Sequence, residues 1–329
     1  MAPDGEAPAW HDPAVGDEAM KRARARLACV SFFVLLAGCT QAPNPHSSPA
    51  ITRPVPLPAR AVPQRPIGPP GRVPADSDRL ARTFDVNGRA MYLECNGSGS
   101  PTIVMDAGLA TDHSTWDGVV GPLARSARVC TYDRAGLGAS ERAPKPRTSQ
   151  DVVDDLHALL DTAGVDPPYL LVGHSFGGLN MQLFAAEDHA DVAGLVLVEP
   201  APAPGFVELG CKLLKSVNCL ALTTALAANP EGIDWARTDE EVAAAPPLGA
   251  VPLVLIAATT HPCPLSPVSE CAELETVAMD LWKATVRSVP DGRLVIATGS
   301  GHWVQDDRPD VVIDAIRDVL AKARGGIRR

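Results

Sequence analysis

The sequence predicts an α/β fold, in which a mostly parallel β-sheet is covered by helices on both faces. Short apolar runs typical of buried strands recur from residue 82 to residue 297, and segments with helical spacing alternate with them. A glycine-rich segment, residues 173–178, marks a strand-to-helix corner. Such alternation favours parallel strands joined by crossover helices. The predicted strands are residues 82–85, 89–95, 102–105, 127–132, 169–172, 193–198, 252–257 and 293–297.

Predicted helices follow several of these strands. Residues 148–162 carry apolar side chains at helical spacing, and Thr148 and Asp151 are placed to form a capping box at the start. Residues 179–187 directly follow the glycine-rich corner, and residues 311–323 form the closing helix. The sequence therefore places helices on both sides of the central strands.

A long insertion interrupts the strand and helix alternation at about residues 200–250. It contains two helical stretches, residues 206–214 and 220–228. Loops within crossover connections normally have only a handful of residues, so this segment is too long for a simple crossover. We expect it to form a small lid over the glycine-rich corner; a helix pair without a role in the site is the alternative.

The first 38 residues are typical of a signal peptide. A cationic stretch, residues 21–26, precedes an apolar run that is shorter than the roughly 18 to 20 residues of a spanning helix. The run ends in Leu36-Ala37-Gly38-Cys39, which resembles the lipobox of bacterial lipoproteins, and this predicts lipidation of Cys39. Because residues 1–19 are acidic, we expect translation to begin at Met20. A buried apolar helix is the alternative.

Residues 39–77 are rich in proline and have no apolar period, which predicts an extended, disordered tether. The folded domain is then expected to cover residues 78–329. Together with the signal peptide, this organisation predicts an exported protein that is held at the bacterial cell envelope by its N-terminal lipid. The membrane is therefore a predicted partner through that anchor.

Composition excludes one class of partner. The chain is 46% hydrophobic and 21% charged, as expected for a globular protein with a sizeable core. Its net charge is −10, and no basic stripe is present in the predicted domain. Nucleic-acid binding requires such a stripe, so we expect no nucleic-acid partner.

The glycine-rich corner indicates a nucleophilic serine. Ser175 lies in Gly173-His174-Ser175-Phe176-Gly177-Gly178, between a predicted strand and a predicted helix. In this motif glycines are needed because a Cβ would collide with the neighbouring backbone, and the sharp turn exposes the serine hydroxyl. A glycine-rich turn that merely closes a strand is the alternative.

A serine nucleophile needs a base, and an acid should orient that base. His302 follows a predicted strand within Gly299-Ser300-Gly301-His302-Trp303, where a loop can bring its imidazole over Ser175. We expect the side chain of His174 to pack beneath the corner. The other histidines of the predicted domain lack a comparable setting, namely His113, His157, His189 and His261.

Several segments together resemble the α/β-hydrolase superfamily, and the likeness covers residues 82–324. They are Met105-Asp106-Ala107-Gly108-Leu109, Asp112-His113-Ser114-Thr115-Trp116, Tyr132-Asp133-Arg134-Ala135-Gly136-Leu137-Gly138-Ala139-Ser140, the glycine-rich corner, and Gly301-His302. The esterase and proline-iminopeptidase-like branch is the most similar. The resemblance implies an eight-stranded sheet in the order 1-2-4-3-5-6-7-8.

The same resemblance implies the remaining site residues. It assigns the oxyanion hole to the backbone N–H groups of Leu109 and Phe176. Most members place the acid after the seventh strand, where this chain has no carboxylate before Glu270. Some members use the end of the sixth strand instead, where Glu199 stands. We expect Glu199 to complete the triad; Glu270 and a purely structural carboxylate are the alternatives.

Six cysteines remain after Cys29 leaves with the signal peptide and Cys39 is lipidated, and export makes disulfides plausible. Equal spacing favours the pairs Cys211–Cys219 and Cys263–Cys271. Cys95 and Cys130 are then left, and the sheet order implied by the resemblance makes their strands neighbours. A zinc site would need paired Cys-x-x-Cys motifs, which the chain lacks, so we expect no metal.

These features predict a serine hydrolase that cleaves a carboxylic ester of a small molecule through an acyl-serine intermediate, without a cofactor. An amide or peptide hydrolase of the proline-iminopeptidase type is one alternative. A lipoprotein that keeps the fold only as a binding module is another, because fold alone does not establish function.

Overall fold

The computed structural model describes residues 79–261 and 269–327 of the chain. Eight strands form one sheet in the order β1-β2-β4-β3-β5-β6-β7-β8, which is the order that the resemblance implies. The pairs β1–β2 and β2–β4 are antiparallel, and all other pairs are parallel. The strands are β1 (Arg79–Val86), β2 (Arg89–Asn96), β3 (Thr102–Asp106), β4 (Val129–Tyr132), β5 (Tyr169–His174), β6 (Val192–Val198), β7 (Leu253–Ala258) and β8 (Gly292–Ala297).

Nine α-helices accompany the strands in the described residues. They are α1 (Asp117–Ala124), α2 (Ser149–Ala163), α3 (Phe176–Glu187), α4 (Phe206–Leu213), α5 (Ser216–Ala227), α6 (Trp235–Ala244), α7 (Ser269–Arg287), α8 (Val304–Asp307) and α9 (Pro309–Ile327). The capping box of α2 forms between Thr148 and Asp151, as predicted. The helices α1, α6, α7 and α8 were not predicted; α1 contains two glycines and a proline, and α8 has only four residues.

The core lies on both faces of the sheet. On one face, strand residues pack against α2, α3 and α7, whose buried side chains include Leu156, Phe184 and Trp282. On the other face they pack against α1 and α9, through residues such as Leu123 and Ile316. The central strands β3, β5 and β7 are buried along their whole length, as expected for parallel strands covered on both sides.

Two disulfides match the predicted pairing. Cys95 on β2 and Cys130 on β4 are register partners and are bonded, with an S–S distance of 2.05 Å. Cys211 and Cys219 join α4 to α5. Cys271 is also disulfide-bonded, whereas its predicted partner Cys263 lies outside the described residues.

The predicted signal peptide, the lipidation site at Cys39 and the proline-rich tether also lie outside the described residues, so they stay predictions. In the part of the chain that is described, no helix has the length and apolar character needed to cross a bilayer.

Candidate active site

Ser175 occupies the sharp turn between β5 and α3. Its backbone has φ 52° and ψ −119°, a conformation that non-glycine residues rarely adopt. The turn is tight because glycines permit close backbone contact. A Cβ on Gly173 would lie 2.3 Å from the carbonyl oxygen of Gly177, and a Cβ on Gly178 would lie 2.6 Å from Pro200 Cβ. The glycines of the motif are therefore required by packing.

Backbone strain is concentrated around this turn. Four non-glycine residues have positive φ in the described part of the chain, and three of them, Ala110, Ser175 and Glu199, lie on the loops of the candidate site. Each such residue costs on the order of 1–3 kcal/mol and persists only when its surroundings hold it. Strain of this kind is typical of functional sites.

The loop that follows β3 lies beside Ser175. A Cβ on Gly108 would lie 3.4 Å from Ser175 Cβ, so the two backbones are in close proximity. The N–H groups of Leu109, on this loop, and of Phe176, directly after the serine, are the predicted oxyanion donors. Neither amide donates a hydrogen bond to another described residue. Both donors are therefore available to a ligand.

A buried ion network holds this loop in place. The guanidinium of Arg134, which is 3% exposed, donates to the carbonyl oxygens of Ala107 and Gly108 at 2.6 and 2.7 Å. It also donates to Asp106 at 2.5 Å and, with two of its nitrogens, to Glu231 at 2.8 Å. The N–H of Ala110 also belongs to the network, since it donates to Oε1 of Glu231 at 2.7 Å.

These contacts set the direction of the Leu109 amide. In a planar trans peptide the C=O and N–H groups point in opposite directions. The carbonyl of Gly108 is held by Arg134 and by the Thr111 hydroxyl, at 2.7 and 2.8 Å. The N–H of Leu109, in the same peptide group, must therefore point away from Arg134.

Burial and the charge of Arg134 act in opposite directions on the pKa values of the two carboxylates in the network. Burial raises the pKa of Asp106 although Arg134 opposes the shift, since Arg134 also serves a second carboxylate. Burial would likewise raise the pKa of Glu231, but the charge and hydrogen bonds of Arg134 outweigh it and lower that pKa. The two carboxylates keep Arg134 charged.

His302 lies on the loop after β8 and reaches the elements around Ser175. Its backbone oxygen accepts a hydrogen bond from Nε2 of His174 at 2.8 Å, and the two imidazole rings are 4.7 Å apart. His174 is fully buried, as predicted, and burial together with the nearby His302 lowers its pKa to about 3. Neutral His174, which directly precedes Ser175, therefore joins the backbone of the predicted base His302 to the serine turn.

Glu199 follows β6 and contacts His302. Its Oε2 is 3.4 Å from His302 Nδ1, and its Oε1 accepts from the N–H of Ala258 at 2.5 Å. Burial by itself would raise the pKa of Glu199, but hydrogen bonds from His261, His302 and Ala258 lower it to about 2. The carboxylate is therefore ionised across the range in which histidine titrates.

The expectation that His261 lacks a functional setting was wrong. Its Nε2 is 3.0 Å from Oε2 of Glu199, closer than Nδ1 of His302. Glu270, the alternative acid, contacts neither histidine; it accepts from Lys215 N–H at 3.2 Å and from Asn218 Nδ2 at 2.7 Å. Glu270 therefore joins α7 to the insertion.

The structure brings the predicted residues together in part. The predicted residues lie on segments that contact one another, namely Leu109, Ser175, Phe176, Glu199 and His302. The described contacts include no hydrogen bond between the Ser175 hydroxyl and the His302 ring, whose side chain is 42% exposed. Catalytic hydrogen bonds are often long or absent without substrate.

Similarity to known proteins agrees with this architecture. A family model described as alpha/beta hydrolase fold matches residues 101–213, which include the serine turn. An esterase from Thermogutta terrifontis has a similar structure, with a TM-score of 0.52 and 22% identity over 74% of this chain and 98% of that one. The chain has the alpha/beta hydrolase fold.

Sequence relatives match shorter stretches of the chain. The uncharacterised Bacillus subtilis protein YqjL is 37% identical over 123 residues, which are 37% of this chain and 49% of YqjL. An Azorhizobium caulinodans protein provisionally named carbamate hydrolase RutD is 33% identical over 118 residues, 36% of this chain and 44% of RutD. The matches span about half or less of each relative.

Sequence reasoning missed three residues of the candidate site. Arg134 stood within a motif of the family resemblance, directly after a strand, but its role depends on contacts that only the fold creates. Glu231 lies in the insertion, 97 positions from Arg134, and has no local signature. His261 carried a usable signal, since it follows β7 closely and β7 lies beside β6.

One group of side chains in the described residues has ligand atoms close enough to hold a metal ion. Asp112, His113 and Asp133 have such atoms within 4.8 Å of one another. The oxygens of Asp133 already accept from the His113 backbone N–H and from Ala139 N–H, at 2.9 and 2.8 Å. These bonds give Asp133 a structural role in its loop.

Proposed function

We propose that this α/β-hydrolase cleaves carboxylic esters through an acyl intermediate on Ser175. The observation that carries the proposal is the meeting of three loops at one serine. Ser175 lies in the strained turn, the loop after β3 lies beside it at Gly108, and the loop after β8 is hydrogen-bonded through the His302 carbonyl to His174, directly before the serine. Each loop contributes a different group that acyl transfer needs.

In the proposed reaction, Ser175 Oγ attacks the ester carbonyl while His302 takes the hydroxyl proton. The C–O bond to serine forms, and the negative charge that develops on the carbonyl oxygen is stabilised by the N–H groups of Leu109 and Phe176. Glu199 stabilises the imidazolium that forms at His302.

The tetrahedral intermediate then collapses. The bond to the leaving alcohol breaks, and His302 returns its proton to the alcohol oxygen. A water molecule next attacks the acyl group with His302 as its base, and Ser175 regains its proton as the acid departs. The cycle leaves the protein unchanged.

An ester substrate is favoured over a peptide with a free N-terminus. The ammonium group of such a peptide would need an unpaired carboxylate close to Ser175. Three buried carboxylates around the described site loops are already engaged, Glu199 by two histidines and both Asp106 and Glu231 by Arg134. The strain at Ser175 also argues against a mere binding module, since a binder gains nothing from a costly serine conformation.

The decisive experiment is labelling of the purified protein with a fluorophosphonate, followed by peptide mapping. We expect the adduct on Ser175, and we expect Ser175→Ala and His302→Gln to lose both labelling and turnover of p-nitrophenyl esters by about 1000-fold or more. Glu199→Gln should reduce turnover by about 100-fold.

Esters of increasing chain length, tested beside a proline arylamide, distinguish the substrate classes. Faster turnover of the arylamide would replace the ester assignment with the amide one. An unlabelled wild-type protein would contradict both.

A further inference from the structure

One carboxylate oxygen serves two histidines at the candidate site. Oε2 of Glu199 is 3.0 Å from Nε2 of His261 and 3.4 Å from Nδ1 of His302. The other oxygen, Oε1, is occupied by Ala258 N–H. Both rings therefore lie against the same oxygen of the acid, while the other oxygen faces the backbone of Ala258.

We propose that His261 is a positioning residue that competes with His302 for Glu199 and thereby sets the basicity of His302. The inference rests on the proposed function, in which His302 is the base. His261 would act through the acid, without touching the substrate.

The fold places the two histidines side by side for a local reason. The loop after β7, which carries His261, runs along the loop after β8, which carries His302. Thr260 N–H donates to Ser300 O at 3.0 Å, and Thr259 N–H donates to the same oxygen at 3.2 Å. These bonds hold both loops at the end of β6, where Glu199 stands.

His261 lies between two carboxylates. Its Nε2 faces Glu199, and its Nδ1 is 3.7 Å from Oε1 of Glu275 on α7. The hydrogen bond to Glu199 is the main reason that the pKa of His261 is raised, and Glu275 contributes in the same direction. Among the residues that the structure describes, the titratable groups that face His261 are thus Glu199, Glu275 and, across the shared oxygen, His302.

A protonated His261 weakens the support available to His302. It forms a neutral pair with Glu199, so a proton on His302 meets both a neutralised carboxylate and a second cation. Charges within about 4–6 Å shift a pKa by roughly one unit or more, and solvent reduces the effect for partly exposed rings. Loss of His261 should therefore leave Glu199 better able to stabilise a proton on His302.

His261→Gln tests the inference, because glutamine keeps an N–H donor but cannot carry charge. We expect the acid limb of kcat/KM for a p-nitrophenyl ester to shift upward by about 0.5–1 pH unit. Because coupling is reciprocal, His302→Gln should raise the pKa of His261 equally.

Two further variants keep the test sharp. Glu275→Gln lowers the charge on His261 at a given pH, so it should shift the acid limb in the same direction by a smaller amount. His157→Gln is the matched control: its Nε2 lies 2.9 Å from Asp188 on the surface, and its replacement should leave the limb unmoved.

An unmoved acid limb in His261→Gln would overturn the inference, as would loss of fluorophosphonate labelling, which would make His261 the base. Failure of the proposed function would look different, because His302→Gln would then retain turnover whatever the titrations show.

Discussion

The two halves of the candidate site are built differently. Beneath the oxyanion loop, Asp106, Arg134 and Glu231 are each 3% exposed or less and are joined by several hydrogen bonds. In the acid and base half, the side chains of His261 and His302 are 29% and 42% exposed and share one oxygen of Glu199. The first half is fixed, whereas the second can redistribute its contacts.

The difference follows from what each half has to do in the proposed reaction. Amide donors stabilise a developing oxyanion only if their direction is set before the reaction, and a buried ion network provides that rigidity. A base must gain and lose a proton in every cycle. A partly exposed ring with a shared acid allows that change at a small energetic cost.

Disruption of the buried ion network should have the largest effect on stability. Arg134→Met leaves Asp106 and Glu231 without their cation, and removal of one partner from a buried ion pair costs about 3–5 kcal/mol. Urea unfolding should show this loss. Arg79→Met is the control, because Arg79 pairs with Glu94 while 62% exposed, and it should change stability by less than about 1 kcal/mol. Equal effects of the two variants would refute the contrast.

Low pH should remove the stability that ionised Glu199 contributes in the acid and base half of the site. The pKa of Glu199 is lowered from 4.5 to about 2 in the folded protein, so its contribution is present above pH 4.5 and is lost as the pH falls through 2. The shift corresponds to roughly 3 kcal/mol. The stability difference between wild type and Glu199→Gln, measured by urea unfolding, should shrink by that amount over this range.

Glu208→Gln provides the control for the acid experiment. Glu208 pairs with Lys212 on the exposed surface of α4, so this variant should follow the wild-type pH dependence. If the free energy of unfolding of Glu199→Gln changes with pH in parallel with that of the wild type, the carboxylate does not contribute the stability that its contacts imply.

A glycine substitution should give a smaller loss and sharpen the comparison. A Cβ on Gly177 would lie 2.5 Å from the carbonyl oxygens of Asp106 and Ala107, so Gly177→Ala pushes the serine turn against the fixed loop. We expect a cost of about 1–3 kcal/mol by thermal or urea unfolding. Gly121→Ala on α1 meets nothing within 4 Å and should instead stabilise by about 0.5–1 kcal/mol. An unchanged free energy of unfolding in Gly177→Ala would indicate that the loop after β3 can move to accommodate the added Cβ.

Local patterns predicted much of the fold. All eight strands and the helix that begins after Thr148 could be located because apolar period and capping chemistry act over a few neighbouring residues. Ser175 and His302 could be singled out for the same reason, since each stands among glycines directly after a strand. Glu199 needed the additional expectation that β6 ends beside the histidine loop.

The contacts that complete the site escaped prediction because their partners are remote in sequence. Glu231 meets Arg134 across 97 positions, and His261 meets Glu199 across 62. No residue near Glu231 marks it as different from any other glutamate of the insertion. Spacing rules cannot report such pairs.

The sequence by itself determined where the eight strands lie and which serine occupies the strand-to-helix corner, because backbone preferences and glycine requirements are local. Only the tertiary structure decided which carboxylates are paired and which are shared. Electrostatic and hydrogen-bond energies depend on distance and burial in three dimensions, and both are set when the sheet brings the strand ends together.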